Sequence, residues 1–269
     1  MAENHTCQWK PLASWPDKYK CGISLDSGHS SLCILRILHD PPNPGKNSDR
    51  FNEALNEKVR EDKESQDSDL VNLSGVVFPD MAIHSERVFK KFVNFSHVQF
   101  AKGANFSRAQ FKEGADFSDS QFGDLAVFDN AKFGGKAFFV GTVTKFNKRA
   151  SFSDTQFAGT AEFFNVEFCE QANFYGTQFS REIRFKNAQF LDGANFSRAG
   201  IVESLTFEGP TFLVTKSDEI VSFQDLSGES ARRIRFEGAD LWRVSFLRTD
   251  VSEMRFVGCR WPYKTWFKF

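Results

Sequence analysis

Residues 104–133 read ANFSRAQFKEGADFSDSQFGDLAVFDNAKF, with Phe at 106, 111, 117, 122, 128 and 133. The gaps alternate between five and six residues. The same rhythm returns at Phe152, Phe157, Phe163, Phe168, Phe174, Phe179, Phe185, Phe190 and Phe196. On an extended chain, positions two apart point the same way, so Ala115 and Phe117 share a side, as do Ala131 and Phe133. A five-residue period is too short for a helix or a hairpin arm, and each A-x-F is followed by polar or Gly residues that turn the chain. The chain must therefore coil around its Phe residues. Coils stacked at the ~4.8 Å spacing of neighbouring strands place each ring over an equivalent one, and the interior becomes an aromatic ladder.

The units ANFSR, AQFKE, ADFSD and VNFSH resemble those of the pentapeptide-repeat proteins. The resemblance covers residues 71–261, about seven tenths of the chain. It implies an all-β fold: a right-handed, four-sided β-helix with one unit per side and a Phe or Leu inward from each. This chain departs from the strict pattern by an extra residue in alternate units, for example Gly103, Gly114, Gln171 and Gly193, which predicts small bulges at two opposite corners. The N-terminal Cys and His residues, the five-plus-six rhythm and the terminal FVGCRWP also look like longer bacterial members of the family. In those a charged helical region and membrane segments follow.

The rest of the sequence divides around the repeats. Residues 1–45 form a small module containing Cys7, Cys21, Cys33 and His39, a set that could hold a structural zinc tetrahedrally, with His29 as the alternative nitrogen ligand. The competing reading is buried thiols beside Trp9 and Trp15. Residues 46–70 comprise a capping helix from Ser48 to about Glu64, with Phe51, Leu55 and Val59 on one stripe, and a charged linker, EDKESQDSD, read as solvated. The repeats occupy 71–212, with Leu73, Phe78, Ile83 and Phe89 expected inward. A stutter between Phe139 and Phe146 adds a residue. Residues 213–235 are expected to form an irregular insert with Phe223 as one inward candidate. Residues 236–269 complete a last coil and an aromatic end.

Composition restricts function. The chain has 34 Lys plus Arg against 35 Asp plus Glu, a net charge of −1. No global bias points to nucleic acid or to an acidic membrane, and no direct nucleic-acid binding is expected. The first residues lack a signal peptide's basic start and apolar run, so a cytoplasmic location is the default, and an odd number of Cys suits reduced thiols. The family's best-known specific activity, mimicry of DNA toward gyrase, needs a continuous acidic face. Between Val93 and Phe212 the acids number thirteen and the bases twelve. Gln99 with Gln121, Gln156 with Gln178, and Asn173 with Asn195 are expected to stack and exchange amide hydrogen bonds.

Catalysis finds little support, since His84 and His97 read as surface residues, Cys169 and Cys259 have no neighbouring His, and the carboxylates are scattered. Trp261, Tyr263, Trp266, Phe267 and Phe269 crowd the C-terminal end as candidates for partner binding, or as a cap over the last coil. The expected function is a non-catalytic protein-interaction scaffold. Two alternatives are a DNA mimic acting on gyrase or topoisomerase and the soluble sensory part of a membrane-associated system, with membrane association only through the tail or a partner.

Overall fold

The computed structural model describes residues 70–78, 80–209, 212 and 220–261. They wind into a four-sided β-solenoid of about eight turns, each side a parallel sheet built of one short strand per turn. The first face has nine strands, from Leu70–Asn72 through Gly114–Asp116 to Arg255–Val257. The second has six, from Val77–Phe78 to Gln189–Phe190. The third has eight, from Ala82–Ile83 to Val244–Ser245, and the fourth six, from Val88–Phe89 to Gly200–Ile201.

Register follows sequence equivalence, with Phe100 pairing Phe122 on the second face and Phe111 pairing Phe133 on the fourth. The core is accordingly four columns of rings. On the third face Phe106, Phe128, Phe152, Phe174, Phe196 and Phe223 stack at centroid distances of 4.8–5.1 Å with nearly parallel planes. Between columns the rings meet edge to face, as Phe163 and Phe174 do at 5.8 Å and 90°. Both arrangements suit the aromatic quadrupole, so one unit type satisfies all its neighbours. Alanines such as Ala104, Ala126 and Ala150 fill the remaining buried positions, where a larger side chain would not fit between the columns.

The N-F-S and D-F-S triplets have a local cause. The side-chain oxygen of Asn94, Asn105, Asp116 and Asn195 accepts the backbone N–H of the Ser two residues on, at 2.8–3.0 Å, which holds the turn that follows each Phe. The next residue is left-handed: His97, Arg108, Asp119, Asn130, Asp154 and Arg198 all have φ between 53° and 58°. At the corners with an extra residue, Gly103, Gly114 and Gly193 take positive φ. At Gly114 a Cβ would lie 2.1 Å from the Lys136 carbonyl oxygen in the next coil, so glycine is required there by packing as well as by dihedral.

Several details differ from the sequence reading. Ile83 points outward and His84 takes the inward place, stacked 5.1 Å from Phe106 and 3% exposed. The strand Ala82–Ile83 puts Ala82 inside, and the A-x-F frame reads here as Ala82-Ile83-His84, with His in the Phe position. The surface assignment of His84 is therefore corrected. The stacked amides also spend their hydrogen bonds differently. Asn173 and Asn195 do pair in register, yet Asn173 accepts from the Tyr175 N–H and donates to Ser153 Oγ. Gln178 donates to the Gly176 carbonyl. Among the described residues a direct side-chain amide pair joins Asn187 to Asn165, at 3.3 Å.

The stutter lengthens one coil by two residues rather than the one expected, so that Phe122 pairs with Phe146, twenty-four residues on. Thr144 secures it. Its buried hydroxyl donates to the Val140 carbonyl at 3.0 Å and accepts the Asp119 N–H at 2.8 Å. Thr144→Val keeps the shape, and the Asp119 N–H still donates to the Val140 carbonyl at 2.9 Å, so the loss is expected to be about 1 kcal/mol or less in denaturant melts. A loss above ~2 kcal/mol would show that the Asp119–Val140 bond does not hold the corner without the hydroxyl.

Near the C-terminal end, Val221–Ser222 pairs with both Ala194–Asn195 and Val244–Ser245, and Phe223 joins the third column between Phe196 and Phe246. A short helix, Gly228–Ala231, capped by Ser227, lies over the fourth face where a strand would follow Ile201, and Ser230 Oγ accepts the Ile201 N–H.

Candidate interaction surfaces

Rings fill the interior of this stack and leave no room among them for a ligand, so any recognition falls to the outside. On the side faces, oppositely charged residues recur one coil apart. Lys102 meets Asp80 at 3.1 Å, Arg108 meets Glu86 at 3.0 Å, Lys148 meets Glu170 at 2.9 Å, and Arg184 meets Glu162 at 2.8 Å. Lys186 and Glu208 repeat the arrangement at 3.5 Å. Such exposed pairs add little stability each. Their consequence is electrostatic: the acids of these pairs each have a base one coil away, so an unbroken acidic stripe does not form along these columns.

The two cysteines within the described residues are both free and half-buried. Cys169 Sγ donates to Glu167 Oε1 at 3.1 Å, and Glu167 also bonds Lys145 at 2.5 Å. Burial, then the hydrogen bond to Glu167, pushes the Cys169 thiol up to about 11. A thiol so held carries almost no thiolate at neutral pH, and the site has the character of a structural contact. Cys259 Sγ points at the Phe236 carbonyl, 3.4 Å away. His97 lies on a corner with Nδ1 3.9 Å from Asp119 Oδ2.

His84 is the unusual group of the core. Neither ring nitrogen has a hydrogen-bond partner, and its neighbours are the rings of Phe78, Phe89, Phe95 and Phe106. Burial above all, with the positive charge of Arg87 adding to it, lowers its pKa to about 3. Sequence patterning could have found it by extending the A-x-F frame one unit toward the N-terminus.

At the C-terminal end the last coil is thinly covered. Phe246, Val251 and Phe256 are only partly buried, and Trp261, 41% exposed, lies with its ring 5.0 Å from that of Phe256. Trp242, Leu247 and Val257 are exposed nearby in the chain. Of the other aromatic candidates, Tyr263, Trp266, Phe267 and Phe269 lie outside the described residues, as do the proposed zinc ligands Cys7, Cys21, Cys33 and His39 with His29, and the expected capping helix. Among the described residues no group of three or more His, Cys, Asp and Glu is placed to hold a metal, and no helix is long and apolar enough to cross a membrane.

Residues 88–132 match the family model described as pentapeptide repeats (9 copies). Among solved structures the chain is similar to QnrB1, described as a plasmid-mediated fluoroquinolone resistance protein, at 16% identity and a TM-score of 0.31, over 72% of this chain and 83% of that one. It is also similar to HetL, a pentapeptide repeat protein involved in heterocyst differentiation regulation from the cyanobacterium Nostoc sp. strain PCC 7120. There the identity is 11% and the TM-score 0.28, over 73% of this chain and 92% of that one. No curated protein matches the chain.

Proposed function

We propose that the protein is a non-catalytic scaffold that recognises a protein partner with the outer surface of a rigid rod, a reading that starts from the pentapeptide repeats matched at residues 88–132. The observation that carries this reading is the continuity of the ring columns. Fifteen Phe residues from Phe106 to Phe196 in the two runs of the repeat are completely buried, which leaves the outward strand positions and corners free to vary without disturbing the core. Charge pairing along the coils favours a general protein-binding surface over mimicry of DNA, which calls for an unbroken acidic face. The thinly covered last coil, with the aromatic residues that follow it, is a second surface for contact.

Affinity capture from native host lysate, split into soluble and membrane fractions, tests the proposal by comparing the full chain with one ending after Pro262. The expected result is a soluble protein partner retained by both, which places recognition on the rod. A membrane partner lost with residues 263–269 would favour the sensory alternative. A topoisomerase among the captured proteins would overturn the charge argument.

A further inference from the structure

One edge of the rod breaks the pattern of neutralised columns. At the fourth face and the corner after it, the first three coils present Lys90, Lys112, Lys132 and Lys136, all exposed and none with an ion-pair partner among the described residues. Arg87 and Lys91 belong to the same edge, and its one acid is Glu113. Lys90 and Lys112 occupy equivalent places in consecutive coils, since Phe89 pairs with Phe111 and the Lys112 N–H donates to the Phe89 carbonyl at 2.9 Å. Like charges stacked at strand spacing repel, and at Lys102–Asp80, Arg108–Glu86, Lys148–Glu170 and Arg184–Glu162 the coils set opposite charges together instead. In the third coil the equivalent positions are Gly134 and Gly135, a shelf without side chains between Lys132 and Lys136.

We propose that this lysine edge is the docking surface for the chain's own acidic segment, residues 61–69. That segment, EDKESQDSD, carries five acids and one Lys. It ends immediately before Leu70, and Leu70 pairs with Phe92, the residue directly after Lys90 and Lys91. The acids therefore join the stack at the foot of the lysine edge. Nine extended residues reach up to ~30 Å, whereas three coils rise only ~10 Å, so the segment can cover the whole edge. Docking there supplies the opposite charge that the coils themselves withhold. It also keeps the edge from other polyanions. This deepens the scaffold reading by naming one of the rod's occupied surfaces, and its test requires no partner, so the two can fail separately.

The test is zero-length carbodiimide cross-linking of the dilute full chain, read by mass spectrometry, together with retention on heparin as a polyanion probe. Expected are links within one chain from Glu61, Asp62, Glu64, Asp67 or Asp69 to Lys90, Lys112, Lys132 or Lys136, diminished at ~1 M salt, where the screening length is only ~3 Å. The variant E61Q/D62N/E64Q/D67N/D69N should bind heparin about tenfold more tightly, and adding K90Q/K112Q/K132Q/K136Q should remove that gain. Absence of these links, links only between two copies, or unchanged heparin retention in the acid-neutralised variant would each overturn the proposal.

Discussion

Phe174→Ala lowers the unfolding free energy by ~3–5 kcal/mol, the range for deleting a fully enclosed ring. Phe174 has no solvent exposure and is held on both sides of its column, 4.8 Å from Phe152 and 4.8 Å from Phe196. Phe163, Phe168 and Phe185 approach it edge-on at 5.5–6.1 Å. Collapse into the vacated space is opposed because each of those rings is itself fixed by register to the coil above and below. The backbone adds to this resistance, since the Phe174 N–H donates to the Asn195 carbonyl at 2.7 Å. Equilibrium denaturation measures the loss. A change below ~1 kcal/mol would mean that the neighbouring columns close the cavity and that the ring stack is softer than its geometry indicates.

The second large effect concerns pH. His84 titrates near 3 in the folded protein, against an ordinary value of 6.5. The unfolded chain therefore binds the proton more readily, and stability from this group is fully present above pH ~6.5 and is lost as pH falls toward 3. At pH 4.5 the difference amounts to about 3 kcal/mol, from two pH units at 1.36 kcal/mol each. His84→Phe removes the titration and completes the third column with a ring that has no polar atoms to satisfy. The variant should match or exceed the parent at pH 7 and should be the more stable by about 3 kcal/mol at pH 4.5. Denaturant melts at the two pH values read the difference directly, and parallel losses in both proteins would locate the acid sensitivity elsewhere. Because His84 lies in the first described turns, amide exchange there should accelerate before the middle of the stack responds.

Much of this architecture was legible because one rule repeats. The A-x-F spacing defines which side chain points inward, and the extra residue in alternate units marks the corners where Gly103, Gly114 and Gly193 take positive φ. What the spacing could not show was competition among hydrogen bonds. Asn173 stands beside Asn195 as the period requires, but a backbone N–H two residues away is a nearer donor for its oxygen than the amide one coil over. The first unit misled for a different reason. Ile83 is the more apolar residue, so composition favoured it for the core, while the frame set by the next coil placed His84 there. Paired charges such as Arg184 and Glu162 lie twenty-two residues apart and could have been read from the sequence once the coil length was known. The lysine edge emerges only when that same rule is found to fail.

Recognition by the outside of a filled rod is the central claim, and partner capture with one face altered at a time bears on it most directly. Outward positions of each sheet would be replaced separately: for the second face Gln99, Gln121 and Gln189, for the fourth Gln110 and Gln156, with comparable sets on the first and third. Every variant is expected to retain the parent's melting behaviour, and one of them to lose the captured partner. Retention of the partner by all four, with loss only when the chain ends after Pro262, would contradict it and move recognition to the C-terminal end.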